Sequence, residues 1–394
     1  MNTNFEYYVP QHLIFGSGSF NQLGTMKLPG KKALIITTED RLFLDRTIQL
    51  LEQNGAEYIV YDKIRPNPCT DDINEGARWG VDNNCDFVLA VGGGSPMDAA
   101  KCIAMLMYDD AEYDIWDYVQ YREGHRVPRG CLPMILVSTT AGTGSEVVPG
   151  GVVSNDHIDV KLDVGNPLMF PTYSIVDPEL QVSVPPFLTA VQGFDVIFHC
   201  IEGYLNQFHT PYSDMVYMAA LEYANTAIEV AYRDSQNIEA RINMALASNL
   251  AGIGETLADV ISLHAMAHTL GSFHHELPHG VGLALLVPEA FELYCTYPTK
   301  TRQRMAHMAQ MLGYGDAPED LVHYISDKLK AMDLYYIDYT EYGIDESRCA
   351  EYARHTVVEI APYMDKDEHT LTADEVEQVF RKSFTRHKQY LLDV

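Results

Sequence analysis

The chain has no CxxC pair, no GxGxxG fingerprint and no apolar run approaching the roughly 20 residues needed to span a bilayer. It also holds only 27 basic residues against 55 acidic ones, for a formal net charge of −28. Each shortage closes a class of function. Seven scattered cysteines, an odd number without close pairs, argue for reduced thiols in the cytoplasm rather than a disulfide framework. The acidic surface would repel a polyphosphate backbone, which argues against nucleic acid as a partner. Acidity of this size is otherwise a common aid to solubility and carries no function of its own. The opening MNTNFEYYVPQ has neither a basic n-region nor an apolar h-region, so neither export nor membrane insertion is expected.

What is present is length and alternation. At 394 residues the chain fits two domains. In the first half, short apolar runs alternate with helical stretches: strands are expected over 32–38, 58–61, 87–91 and 134–138, with helices over 41–54, 71–83 and 96–107 between them. That alternation predicts a parallel sheet with helices on both faces. Residues 150–184 are apolar and Pro-rich and read as a connecting segment. From 189 onward the periodicity is helical, over 189–206, 212–232, 238–258, 262–273 and three or four further segments. The last of these has Thr372 as N-cap and Glu375 placed to complete a capping box. With the boundary near the Pro185-Pro186 pair, the expectation is an α/β domain over 1–184 followed by an all-helical domain over 185–394.

The helical half carries the strongest chemical pattern. Asp195 and His199 in GFDVIFH, and His264 and His268 in HAMAHTLG, are each spaced i, i+4, so each pair projects from one helix face; His279 follows closely in PHG. Imidazole nitrogen and carboxylate oxygen without thiolate suit ferrous iron or zinc. An HxxxH pair by itself is weak evidence, because two histidines on an amphipathic helix are commonly hydrogen-bonded core or surface residues. The larger set is what points to a divalent metal. A zinc-protease reading fails at its catalytic residue, since the glutamate required after the first histidine is replaced by Ala265.

Two loops in the first half suit a nucleotide. Gly92-Gly93-Gly94-Ser95-Pro96 follows the strand FVLAV and opens a helix, so backbone amides and the helix N-terminus can meet an anion, with Pro96 in the first turn. The segment by itself is also compatible with a plain flexible turn. A second loop, Ser138-Thr139-Thr140-Ala141-Gly142-Thr143-Gly144-Ser145-Glu146, follows a later strand; clusters of this kind are usually turn chemistry, but their position at strand carboxyl ends favours a ligand.

Together with FGSGS (15–19), Pro66-Asn67-Pro68, GGGSPMDAAK (92–101), STTAGTGSEV (138–147), VDPEL (176–180) and LTAVQGFDVIFHCIEGY (188–204), these motifs run through nearly the whole chain. They resemble the iron-containing (group III) alcohol dehydrogenases, of the butanol, 1,3-propanediol and lactaldehyde type. The resemblance implies a dehydroquinate synthase-like fold: a Rossmann-like dinucleotide domain, then a helical domain, with metal and nicotinamide meeting in the cleft between them. It implies Asp195, His199, His264 and His279 as ligands to Fe2+ or Zn2+, with His268 near substrate and nicotinamide. It further implies that Gly93, Gly94 and Ser95 hold the cofactor pyrophosphate with Asp98 nearby. Thr139, Thr140 and Thr143 would flank the nicotinamide side, and Asn67 and Lys161 would hold the ribose and adenosine portions. A homodimer or larger assembly, formed through the N-terminal domain, is the implied state.

Two positions depart from the family pattern. Thr38 stands where many NAD-preferring members carry Asp at the end of the first strand, which relaxes the block against NADP, while Glu39 and Asp40 beside it restore negative charge; the balance leans to NAD. Bulky residues at Val196-Ile197-Phe198 replace smaller ones near the metal without removing a ligand. The expected reaction is hydride transfer between a small uncharged primary alcohol or diol and NAD(P), with His268 either relaying the proton or only buttressing the helix pair. His12, His157, His209, His274 and His275 read as surface or loop residues, with His274 and His275 the exception to test: they sit between the ligand helix and His279, where at least one could line the substrate pocket. The competing readings are a related reductase acting on lactaldehyde, a polyol or a keto acid, and a catalytically silent nucleotide- and metal-binding protein.

Overall fold

The structure, a computed structural model, describes residues 2–10 and 12–393, with side chains through 389. It divides into two compact units, Tyr7–Val184 and Pro185–Val394, the latter with Met1–Glu6.

In the first unit the strands are β1 (His12–Phe15), β2 (Lys32–Ile36), β3 (Glu57–Tyr61), β4 (Phe87–Gly92), β5 (Met134–Ser138), β6 (Gly150–Asn155), β7 (Val160–Gly165) and β8 (Tyr173–Val176). Six of them form a parallel sheet in the order β1-β8-β5-β4-β2-β3. Its strands read as unbroken apolar runs because both faces are covered. Ala33, Ile35, Leu89, Val91, Ile135 and Val137 pack one way, against Leu50 and Leu51 of α1 (Leu44–Asn54). Alternate residues such as Leu34 face the other way, toward α2 (Thr70–Asp82) and α3 (Gly94–Tyr108): a Cβ added at Gly80 of α2 would meet both Leu34 and Met107 of α3. The order reverses at β2, which pairs with β3 on one side and β4 on the other, so the carboxyl ends of β2 and β4 flank a switch point, where ligands of open parallel sheets bind.

Three expectations need correction here. Residues 150–184 are not a connector: β6 and β7 pair as an antiparallel hairpin, and β8 returns to the sheet between β1 and β5. Asp177, just beyond β8, accepts from Gly18 N and Phe20 N at 3.0 Å each, joining the VDPEL and FGSGS motifs. Helix α1 begins at Leu44 rather than 41, because Arg41 and Phe43 adopt left-handed conformations (φ 53° and 62°) that interrupt helical hydrogen bonding. Helix α3 starts two residues earlier than expected, taking Gly94 and Ser95 into its first turn.

The second unit is helical among the described residues: α4 (Pro186–Leu205), α5 (Pro211–Arg233), α6 (Ile238–Glu255), α7 (Ser262–Phe273), α8 (His279–Tyr294), α9 (Thr299–Met311), α10 (Pro318–Ala331), α11 (Cys349–Val358) and α12 (Ala373–Asp393). Five helices follow α7, more than the three or four read from periodicity. The capping box of α12 forms as expected, with Thr372 N donating to Glu375 Oε2 at 2.8 Å and Glu375 N to Thr372 Oγ1 at 3.3 Å.

Candidate metal centre and nucleotide loops

Helix α4 carries Asp195 and His199 one turn apart, both buried, and α7 carries His264 and His268 in the same way. His279 is the first residue of α8. The next residue, Gly280, explains how that helix start comes close enough: a Cβ there would lie 2.1 Å from the carbonyl oxygen of Val191, one turn before Asp195 on α4. Only glycine allows the approach.

These elements converge on one carboxylate oxygen. Asp195 Oδ1 lies 3.7 Å from His199 Nε2, 3.6 Å from His264 Nε2 and 3.5 Å from His279 Nε2. Such separations are too long for hydrogen bonds. They match donors sharing a cation, since two ligand atoms each about 2.1 Å from a tetrahedral metal lie about 3.4 Å apart. Asp195 Oδ1 and His264 Nε2 are buried without a hydrogen-bond partner among the described residues. Asp195, His199 and His264 offer ligand atoms that all fall within 4.8 Å of one another. The residues present therefore fit a divalent metal. His268 stands beside this set, its ring 5.3 Å from that of His279 and packed edge-on against Tyr363 at 5.1 Å.

In the first unit the two loops singled out from sequence touch each other. A Cβ on Gly94 would meet Thr143 Cγ2 at 2.6 Å, and one on Gly93 would meet Thr140 Oγ1 at 3.0 Å, so these glycines serve close packing of loop on loop. Thr139 N donates to Gly92 O at 3.0 Å. Asn67 lies against the same helix start, its N–H donating to Ser95 Oγ at 3.3 Å, and Lys161 Nζ donates to Asn67 Oδ1 at 2.7 Å. Asp98 is turned into the fold: it accepts from Ser145 Oγ at 2.5 Å and Val152 N at 3.1 Å and lies 3.2 Å from the buried Lys101. Thr38, two residues beyond β2, which ends at Ile36 rather than at 38 as expected, donates to Asp40 at 2.6 Å.

Comparison with known proteins agrees across both units. The model of the iron-containing alcohol dehydrogenase family matches residues 10–178, and that of the C-terminal part of the Fe-containing alcohol dehydrogenase family matches 189–384. The chain belongs to the iron-containing alcohol dehydrogenase family. It is 33% identical to alcohol dehydrogenase 4 of Saccharomyces cerevisiae (strain ATCC 204508 / S288c) over 320 residues, covering 80% of this chain and 81% of the yeast protein. It is 34% identical to 1,3-propanediol dehydrogenase of Klebsiella pneumoniae over 291 residues, 72% of this chain and 74% of that one. The solved structure of an alcohol dehydrogenase, ADH/D1, from an archaeal halo-thermophile of a Red Sea brine pool superposes with a TM-score of 0.91 at 31% identity, covering 97% of this chain and 100% of that one.

Sequence reasoning missed two buried acids of this dehydrogenase. Glu202 Oε1 lies 2.6 Å from His264 Nδ1, and Glu202 Oε2 accepts the backbone N–H of Ile261 at 3.1 Å and of His264 at 3.3 Å. Its signal was available, for Asp195, His199 and Glu202 are spaced i, i+4, i+7 on one stripe of α4. Asp367, which accepts from Ser262 N at 2.9 Å and Ser262 Oγ at 3.0 Å, is more than a hundred residues from its partner and had no sequence signal. His209, read as a surface or loop residue, does lie in the loop between α4 and α5 but is buried there rather than at the surface, 3.1 Å from Asp214. His274 faces Tyr352, its Nε2 lying 2.8 Å from the phenol oxygen.

The charges of the centre follow from burial and mutual contact. Burial disfavours the Asp195 anion, but His199, His279 and His264 outweigh it and hold the carboxyl well below the usual range. Burial pushes His199 down to about 4. Burial also opposes the His264 cation, yet Glu202 and Asp195 carry that histidine up to about 10. Burial raises both Glu202 and Asp367, the latter to about 8.

Proposed function

We propose that this dehydrogenase interconverts small uncharged primary alcohols or diols and their aldehydes, transferring hydride to and from NAD, with one ferrous ion held by Asp195, His199, His264 and His279. The observation that carries the reading is the convergence of three imidazole nitrogens on the buried Asp195 Oδ1 at 3.5–3.7 Å. When bound, the metal stabilises the alkoxide form of an alcohol as it does hydroxide, and the nicotinamide accepts the hydride.

The chain's own residues position the reactants and handle the proton. Asp195 supplies the single negative charge of the ligand set and the histidines its neutral donors. His268, one turn beyond His264, takes the role of relay, passing the alcohol proton outward near neutral pH. Gly94 and Ser95 offer backbone N–H groups to the pyrophosphate at the start of α3, next to Gly93. The linked Asn67 and Lys161 hold the ribose and adenosine portions. Thr139, Thr140 and Thr143 bracket the nicotinamide side, and Asp98 braces the loops.

The lean to NAD is supported by Thr38, whose hydroxyl holds the Asp40 carboxylate beside the strand end, where it repels a 2′-phosphate. Arg41 is engaged with Asp62. Relatives of both NAD-dependent and NADPH-dependent kinds occur in the family. An uncharged substrate is supported by the state of Lys366, which lies over the Tyr363 ring but is paired with Asp259. A cytoplasmic homodimer completes the proposal. All seven cysteines are free and all but Cys131 are buried, which supports a reducing compartment. No helix among the described residues is long and apolar enough to cross a membrane; the dimer rests on the family resemblance.

The test is anaerobic oxidation of NADH, and separately NADPH, with butyraldehyde, using metal-stripped protein before and after ferrous iron is added. Turnover that depends on metal and runs faster with NADH is expected. Folded, metal-loaded protein that turns over neither cofactor across a panel of aldehydes, hydroxyketones and keto acids would instead mark a silent nucleotide-binding protein.

A further inference from the structure

Helix α7 starts without a capping side chain of its own, since Ile261 occupies the N-cap. Its first N–H groups are instead met by carboxylates from elsewhere: Glu202 accepts from Ile261 N and His264 N, and Asp367 from Ser262 N. Glu202 does more than cap. Its Oε2 takes the two backbone N–H groups, while its Oε1 lies 2.6 Å from His264 Nδ1, so both oxygens face donors. For His264 Nε2 to offer a lone pair to a cation shared with Asp195, the ring proton must sit on Nδ1. Only an acceptor opposite Nδ1 holds it there.

We propose that Glu202 is a positioning residue that fixes the His264 tautomer, and through it the affinity of the centre for metal. This inference rests on the metal-site reading above. It makes an unusual prediction, because Gln is the closest substitute in shape and the wrong one in polarity. In Glu202→Gln the amide oxygen is drawn to the two backbone N–H groups at the start of α7. The amide NH2 then faces Nδ1, and the ring proton moves to Nε2, where it blocks the ligand position. Glu202→Ala leaves Nδ1 without a directing partner, and the ring is free to take either tautomer.

The experiment measures cobalt(II) affinity by chelator competition, together with the visible band of bound cobalt and thermal unfolding of the metal-free protein, for wild type, E202Q, E202A and D367A. The expected result is a 10- to 100-fold loss of metal affinity in E202Q, at least as large as in E202A, although E202Q unfolds at the higher temperature of the two. D367A is expected to lower the unfolding temperature while keeping metal affinity within about threefold of wild type. A merely structural role would rank the variants the other way, with isosteric E202Q binding metal more tightly than E202A; that ranking, or an equal loss in D367A, overturns the inference. Wild-type protein that binds no cobalt at all would overturn the metal reading itself, a distinct result.

Discussion

The candidate nucleotide loops and the helices of the candidate metal centre are built in opposite ways. In the first unit the polar side chains that brace the loops are bonded within the fold: Asp98 accepts from the Ser145 hydroxyl and the Val152 N–H, Lys161 donates to Asn67, and Thr143 accepts from the Ser145 N–H. What this unit offers a nucleotide beyond the already linked Asn67 and Lys161 and the threonines of the second loop is mainly backbone and shape. In the second unit Asp195 Oδ1 and His264 Nε2 stay buried and unmet by hydrogen bonds among the described residues, at a cost of about 1–3 kcal/mol for each such group. A site left in deficit is stabilised strongly by its ligand, and a site already satisfied much less. The metal is therefore expected to govern both the activity and the stability of the helical unit.

The largest effect expected is that of removing the convergence point. Asp195→Ala should lower metal affinity by more than about 100-fold, beyond what loss of an outer partner costs, and abolish butyraldehyde reduction. Metal content after dialysis and the rate of NADH oxidation check this, and a variant that retains stoichiometric metal would break the contrast between the two units.

Metal removal comes next. At free metal about 100 times the dissociation constant, binding contributes about 2.7 kcal/mol, which for a unit of this size raises the unfolding temperature by roughly 5–10 °C. Calorimetry of stripped and loaded protein should resolve that shift in the helical unit, with a smaller one on adding NADH. Equal shifts from metal and nucleotide would remove the asymmetry.

That stabilisation should depend on pH. His264 is raised to about 10 from an ordinary 6.5, so its contribution to metal-free stability is complete below about 6.5 and is lost as pH rises through about 10. Asp367, raised to about 8 from 3.8, likewise makes the metal-free protein less stable as pH climbs from about 4 through 8. Metal must displace the His264 proton, so its own contribution grows over the same range. The gap in unfolding temperature between loaded and stripped protein should widen between about pH 6 and pH 9; a constant gap would contradict the assignment of His264 as a ligand.

The smallest effect belongs to the nucleotide unit. Asp40→Asn, which removes one carboxylate charge from the place proposed for the 2′ position of the ribose, should raise kcat/KM for NADPH relative to NADH by about tenfold, the equivalent of about 1.4 kcal/mol for one partly screened charge pair. An unchanged ratio would move the origin of cofactor preference away from Thr38 and Asp40.

The candidate metal set was legible in the sequence because helical periodicity brings residues four apart onto one face, and two such Asp/His and His/His pairs followed by His279 form a pattern that single residues of these types do not. The alternating half was legible for the same kind of reason, as strands buried on both faces read as solid apolar runs. The β6–β7 hairpin was not: Gly150 and Gly151 carry no side-chain pattern, and each serves a close approach, Gly150 to the backbone of Val164 and Gly165 on β7 and Gly151 to Asp98, where a Cβ would lie 2.6 Å from the carbonyl oxygen. The four residues of β1 are too few to show a period. Asp367 escaped because it acts on α7 from a distant 3-10 turn. Glu202 was visible on its stripe, but a glutamate among apolar residues says nothing of its partner until α7 is placed against it.

The most direct measurement is an anaerobic titration of metal-stripped, folded protein with ferrous iron, following NADH oxidation by butyraldehyde at each addition. Activity rising linearly and levelling at one iron per chain, and absent throughout in Asp195→Ala, is the predicted result. Full turnover before any iron is added would contradict a metal-dependent dehydrogenase built on Asp195, His199, His264 and His279.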